Sequence, residues 1–124
     1  MGKFVIRATE KGSRFNLLAT NGQVIATSQT YKSVSSCKGG CASVAANAPV
    51  ASVEDQTVED WEKTKCPKFQ IYQDKAGEYR FRLLASNGQN IAASEGYARK
   101  DSCLNGIESV RKNAPDATVE QEEA

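Results

Sequence analysis

Four cysteines, Cys37, Cys41, Cys66 and Cys103, are the side chains best suited to metal or nucleophile chemistry here, and the chain has no histidine to assist them. A structural zinc site needs ligands paired at short spacing, as in two C-x2-C units. The intervening gaps are 3, 24 and 36 residues, so no metal site is expected. A reactive thiol needs a base or a cation nearby to hold it as thiolate. Cys66, between Lys65 and Pro67-Lys68, has the most electropositive neighbours and is the expected reactive thiol. Cys37 and Cys103 fall at matching places in a repeat and read as small core residues. The carboxylates Asp55, Asp74, Glu95, Asp101 and Glu108 show no pairing in sequence. Acid–base catalysis needs such groups in a shaped, water-poor setting. Gly39-Gly40 and the two Asn-Gly pairs lack the spacing of a phosphate-binding loop. No catalytic residue, cofactor or metal is expected, and the chain reads as a non-enzyme.

The remaining chemistry is cationic and aromatic. In a strand, alternate side chains point to opposite faces. If Phe81, Leu83 and Ala85 face a core, Arg80, Arg82 and Leu84 face away. The same alternation sends Tyr72 outward, with Arg7, Arg14 and Asn16 in the first half. Arginines beside an aromatic ring on an open sheet can hold single-stranded nucleic acid or another anion. Arg7, Arg14, Tyr72, Arg80 and Arg82 are therefore the candidate ligand-binding residues. The leading functional reading is a small binding or interaction module using the open sheet face. The rival is an enzyme or stress-associated protein whose site the sequence does not reveal.

The elements that would position these residues are written twice. FNLLATNGQVIATSQTY at 15–31 repeats as FRLLASNGQNIAASEGY at 81–97. SCKGGCASVAANAPVASV at 36–53 repeats as SCLNGIESVRKNAPDATV at 102–119. The offset is 66 there and 65 before it, where Phe4 and Ile6 match Phe69 and Ile71. Duplication on this scale constrains the fold more than local propensity does. Phe4 to Ala8 and Phe69 to Tyr72 alternate as strands. A turn and a second strand follow, closed by Asn21-Gly22 and Asn87-Gly88. Asn-Gly between strand-like runs predicts a hairpin, because both residues tolerate positive φ. Third strands are expected over 23–28 and 89–94, and Tyr31 and Tyr97 close the sheet segment. Helices follow, with Ser33 and Lys100-Asp101 near their starts. Cys103, Ile107 and Val110 form one apolar stripe, and Cys37, Cys41 and Val44 form its equivalent. Gly40 and Gly106 share a position that predicts close approach of another backbone. Asn-Ala-Pro ends each helix, and a fourth strand follows at 51–54 and 117–120.

The strings Ala85-Ser86-Asn87-Gly88-Gln89, Asn105-Gly106-Ile107-Glu108-Ser109-Val110 and Asn113-Ala114 closely resemble the YegP-like family of small bacterial and archaeal domains. The resemblance spans both repeats. It implies an α+β fold: a tandem repeat of a strand-strand-strand-helix-strand unit forming one antiparallel sheet. Two helices would pack on one face, with the last strand of each unit exchanged onto the other. It implies no activity, cofactor or catalytic residue. The first unit departs from the pattern, with Lys38-Gly39-Gly40-Cys41-Ala42 in place of Leu104-Asn105-Gly106-Ile107-Glu108.

The chain is 124 residues long with a net charge of +1, from 16 basic and 15 acidic residues. One domain is expected: residues 3–55 as repeat one, 56–67 as linker and 68–121 as repeat two. Each unit alone is short of a self-sufficient core. Balanced charge gives no global footprint for nucleic acid or membrane, so any anion site must be local. No secretory or membrane-spanning segment is expected. The chain reads as a cytoplasmic monomer with internal pseudo-two-fold symmetry and an acidic tail.

Overall fold

The structure is a computed structural model that describes residues 2–122. The first unit supplies β1 (Lys3–Thr9), β2 (Gly12–Leu18), β3 (Val24–Thr27), α1 (Val34–Asn47), a 3-10 turn (Ala48–Val50) and β4 (Ser52–Asp55). The second supplies β5 (Lys68–Gln73), β6 (Tyr79–Leu84), β7 (Asn90–Ala93), α2 (Lys100–Asn113) and β8 (Thr118–Glu122).

The eight strands form one sheet in the order β4-β5-β6-β7-β3-β2-β1-β8. β4 lies beside the first strand of the second unit, and β8 beside the first strand of the first. The expected exchange of last strands is therefore present. The sheet is mixed rather than wholly antiparallel, because both exchanged strands pair in parallel. A strand reached through a helix escapes the reversal that a hairpin imposes, so it can run either way. The two units meet at the pair Thr27 and Ala93 on β3 and β7.

The hairpin loops differ from expectation in detail. Ala19 N–H donates to Gln23 O at 2.9 Å and Gly22 N–H to Ala19 O at 2.9 Å. Within the two Asn-Gly turns it is Gly22 and Gly88 that have positive φ, at 85° and 86°, and not the asparagines. Asn21 and Asn87 instead turn their Oδ1 to the Gln23 and Gln89 N–H groups, 3.0 Å away in both cases. The asparagines close the loops as side-chain acceptors rather than by left-handed backbone.

The helices cover one sheet face, and both apolar stripes are buried as expected. Beneath them, Phe4–Phe15 and Phe69–Phe81 meet edge-to-face at 5.4 and 5.8 Å. Tyr31 and Tyr97 then stack on Phe15 and Phe81. Gly40 and Gly106 do mark close approaches, but to rings. A Cβ on Gly106 would stand 2.6 Å from Tyr97 Oη and 3.0 Å from Phe81. Ser33 caps α1 through Ser36 N–H. Asp101 lies inside the first turn of α2 and does not cap it; Arg99 holds the cap position without a side-chain bond.

Each helix end also grips the other unit. Asn47 Oδ1 accepts from Ser86 Oγ at 3.1 Å, and Asn113 Oδ1 from Thr20 Oγ1 at 3.5 Å. Arg111 Nη2 donates to Ala51 O at 2.6 Å. Lys100 pairs with Asp55. The buried residues of both units form one apolar cluster.

Candidate binding face

No helix covers the other face of the sheet, and register alone orders its side chains. One row runs Glu54, Gln70, Arg82, Ala93, Thr27, Asn16, Val5, Glu120 from edge to edge. Inward neighbours such as Phe15, Ile71 and Phe81 are fully buried, so this row looks away from the helices.

The structure sorts the five predicted residues into two groups. Arg7 and Arg14 face each other across β1 and β2. Tyr72, Arg80 and Arg82 lie on β5 and β6. The strands β7 and β3 stand between the groups, so the five do not converge on one patch. Arg82 places its guanidinium 4.6 Å from the Tyr72 ring centroid and donates from Nε to Gln70 Oε1 at 2.6 Å. Arg80 Nε donates to Asp74 Oδ2 at 2.6 Å. That bond, with N–H groups of Glu78 and Ala76, holds the Asp74 carboxyl below its ordinary range. Arg7 Nη2 is 2.9 Å from Glu122 Oε1. Arg14 is exposed and makes no ion pair with a described residue.

Sequence reasoning missed the most unusual polar group on this face. Glu54 Oε2 and Lys68 Nζ are 2.6 Å apart, with side chains only 1% and 4% exposed. The segment 56–67, expected as a plain linker, returns as a strap over the β4–β5 edge, where Thr64 bonds to both side chains. Thr64 donates its N–H to Glu54 Oε2 at 2.8 Å, and its carbonyl accepts from Lys68 Nζ at 3.0 Å. Gln56 and Gln70 donate side-chain N–H groups to Oε1 at 2.8 and 2.9 Å. Burial alone would push the Glu54 carboxyl up; the donors from Lys68, Thr64, Gln56 and Gln70 outweigh it and bring it down to about 2. A signal was available: Glu54 and Glu120 match at offset 66, and Lys68 and Lys3 at 65.

In the first unit the matching pair, Lys3 Nζ and Glu120 Oε2, is 3.2 Å apart and 44% and 57% exposed. It stands at the lip of a cavity of about 720 Å³ whose lining includes Val5, Leu18 and Val24.

The three buried thiols carry little nucleophilic character. Cys37, Cys41 and Cys103 are buried. Burial pushes Cys41 up to about 12 and Cys103 to about 11, and raises Cys37 as well. Cys66, on the strap, is part-exposed. Asp55 is engaged by Lys100 and Thr57, and Glu108 by Arg111.

The repeat is matched twice by one family model, the domain of unknown function DUF1508, over residues 8–55 and 74–121. The chain belongs to that family. A relative, a UPF0339 protein of Bordetella pertussis, is 39% identical over 121 residues, covering 98% of this chain and 96% of that protein. A second UPF0339 protein, encoded in the ptx operon 5' region of Stutzerimonas stutzeri, is 73% identical over 48 residues. That match covers 39% of this chain and 43% of the relative. The solution NMR structure of yegP from E. coli, a protein of unknown function, superposes with a TM-score of 0.80 at 31% identity. It covers 99% of this chain and 94% of that one. The YegP-like resemblance and its tandem α+β architecture therefore hold. No helix among the described residues is long and apolar enough to cross a membrane.

Proposed function

We propose that this chain is a non-enzymatic binding module whose helix-free sheet face takes an anionic partner, phosphate-bearing or single-stranded nucleic acid. The proposal treats it as a cytoplasmic monomer in which residues 3–55 and 68–121 share one domain. One observation carries the reading: Arg82 lies over the Tyr72 ring on an uncovered face. Arg82 and Arg80 each commit Nε to a local acceptor, which fixes the guanidinium planes and leaves Nη donors for a ligand. Fixed guanidinium groups beside a ring suit phosphate and base together. Of the carboxylates weighed for catalysis, Asp55, Asp74, Asp101 and Glu108 are each paired with a cation, which argues against the enzymatic alternative.

The test is a titration with a labelled single-stranded oligonucleotide. Binding is expected near micromolar at low salt and weakens as salt rises, because displaced counterions are the driving term. Arg80→Ala with Arg82→Ala should abolish it while leaving the fold intact, since neither side chain supports the core. Equal binding by that double variant, or none by the unaltered protein at low salt, rejects the reading.

A further inference from the structure

Thr64 shows what a Glu–Lys pair on this face can do. Glu54 takes its backbone N–H and Lys68 takes its carbonyl. One ion pair thus grips both polar backbone groups of a single residue in a peptide that lies over the β4–β5 edge of the open face. Thr64 Oγ1 lies 3.5 Å from Glu54 Oε2, so the gripped side chain faces the sheet.

The other unit repeats the grip with Glu120 and Lys3. Two differences follow the duplication. Glu122 stands where the first unit has Gln56, so no side-chain amide is there to occupy Glu120; Glu122 turns to Arg7 instead. The floor beside the pair carries Val5, Leu18 and Val24 with Asn16 among them, where the second unit has Gln70, Leu84, Asn90 and Arg82. The strapped half is therefore polar beside its pair and filled from within. The unstrapped half has a mostly apolar floor and stands open. Its rim carries two cations and two carboxylates, Lys3, Arg7, Glu120 and Glu122, already matched in pairs. A balanced rim over an apolar floor suits a peptide backbone with an apolar side chain better than it suits a polyanion.

We propose that this groove is a docking site for an extended peptide segment of a partner protein. Glu120 receives the N–H and Lys3 donates to the carbonyl of one residue, whose apolar side chain seats on Val5, Leu18 and Val24. The occupant repeats between molecules what the strap does within this one.

The experiment uses the full chain and two fluorescein-labelled nine-residue peptides. One has the sequence of residues 57–65; the other carries Thr64→Leu, which supplies the apolar side chain. Fluorescence anisotropy should give a Kd in the micromolar range for the leucine peptide, and weaker binding for the other. Glu120→Ala should weaken binding about tenfold or more through loss of a charged acceptor. Val5→Gln, which installs the second unit's residue, should erase the leucine preference. Amide chemical shifts should move on β1, β2, β3 and β8. Arg80→Ala with Arg82→Ala should leave peptide binding unchanged, so this site and the anion site can fail separately. The proposal is overturned by a Kd beyond millimolar for both peptides or by unchanged binding in Glu120→Ala. It is equally overturned by shifts confined to β5 and β6, by competition from the oligonucleotide, or by a dimer in light scattering that fills the groove without peptide.

Discussion

Glu54–Lys68 and Glu120–Lys3 are the same pair at matching positions of one sheet, and they live in opposite surroundings. The first is sealed under the strap, and its carboxylate accepts from Gln56, Thr64 and Gln70 as well as from Lys68. The second stands in water at a wider separation. The strands beneath hold matching places in the sheet, so strand order does not decide which pair is buried. The strap does, and it exists only because one unit must be joined to the next. A connecting segment has thus become part of a polar core, and the unit without it keeps an open face.

The largest expected effect comes from removing one acid at a time. Glu54→Ala leaves Lys68 buried and unpaired and should cost about 3–5 kcal/mol. Glu120→Ala should cost less than about 1 kcal/mol, as for any exposed pair. Chemical denaturation measures both. Trp61, the only tryptophan, sits on the strap and reports whether it lifts: its emission should change in Glu54→Ala and not in Glu120→Ala. Equal costs would dissolve the contrast between the units.

Acid sharpens the same contrast. The Glu54 carboxyl is lowered from an ordinary 4.5 to about 2. Its contribution is complete above the ordinary value, is lost as pH falls between the two, and is gone once both states carry the proton. Wild-type stability should therefore decline from about pH 4.5 toward 2, and Glu54→Gln should flatten that limb. Glu120→Gln should not. An unchanged acid limb in Glu54→Gln would show that other carboxylates set it.

The smallest effect is on thiol chemistry. Cys66 on the strap should react with a thiol reagent in the native state well before Cys37, Cys41 and Cys103, whose burial both blocks access and disfavours thiolate. Labelling followed by peptide mass spectrometry gives the order. Cys103 reacting first would mean that α2 opens more readily than the strap.

Much of the fold was legible because it is written in periods. Alternation put Phe81 and Leu83 inside and Arg80 and Arg82 outside, and the helix stripes at Cys37 and Cys103 followed from spacing. Strand direction was not legible, since a helical crossover leaves it open; hence the parallel edges. The glycine stripe pointed to a close approach but not to its partner, because a tyrosine ring arrives from sequence positions nine residues before Gly40 and Gly106. The buried pair was hidden for a plainer reason. Strand β4 is only four residues long, and Glu54 in it looks like any solvent-facing acid until a segment with no periodicity folds over it. The grouping of arginines was also beyond pattern reading: alternation gives a face, but only strand order shows that β3 and β7 separate Arg14 from Arg80.

The parallel pairing of β1 with β8 has a mechanical consequence. Lys3 lies opposite Thr118, and Arg7 opposite Glu122. A pull on the two ends of the chain leaves β1 from its Lys3 end and β8 from its Glu122 end. The load therefore runs lengthwise along the seam between them. The slanted, evenly spaced bonds of a parallel ladder would share such a load together rather than open one after another. Under tension the molecule is held in shear at its own termini, and the strand that leaves the second unit to complete the first is the one that bears it.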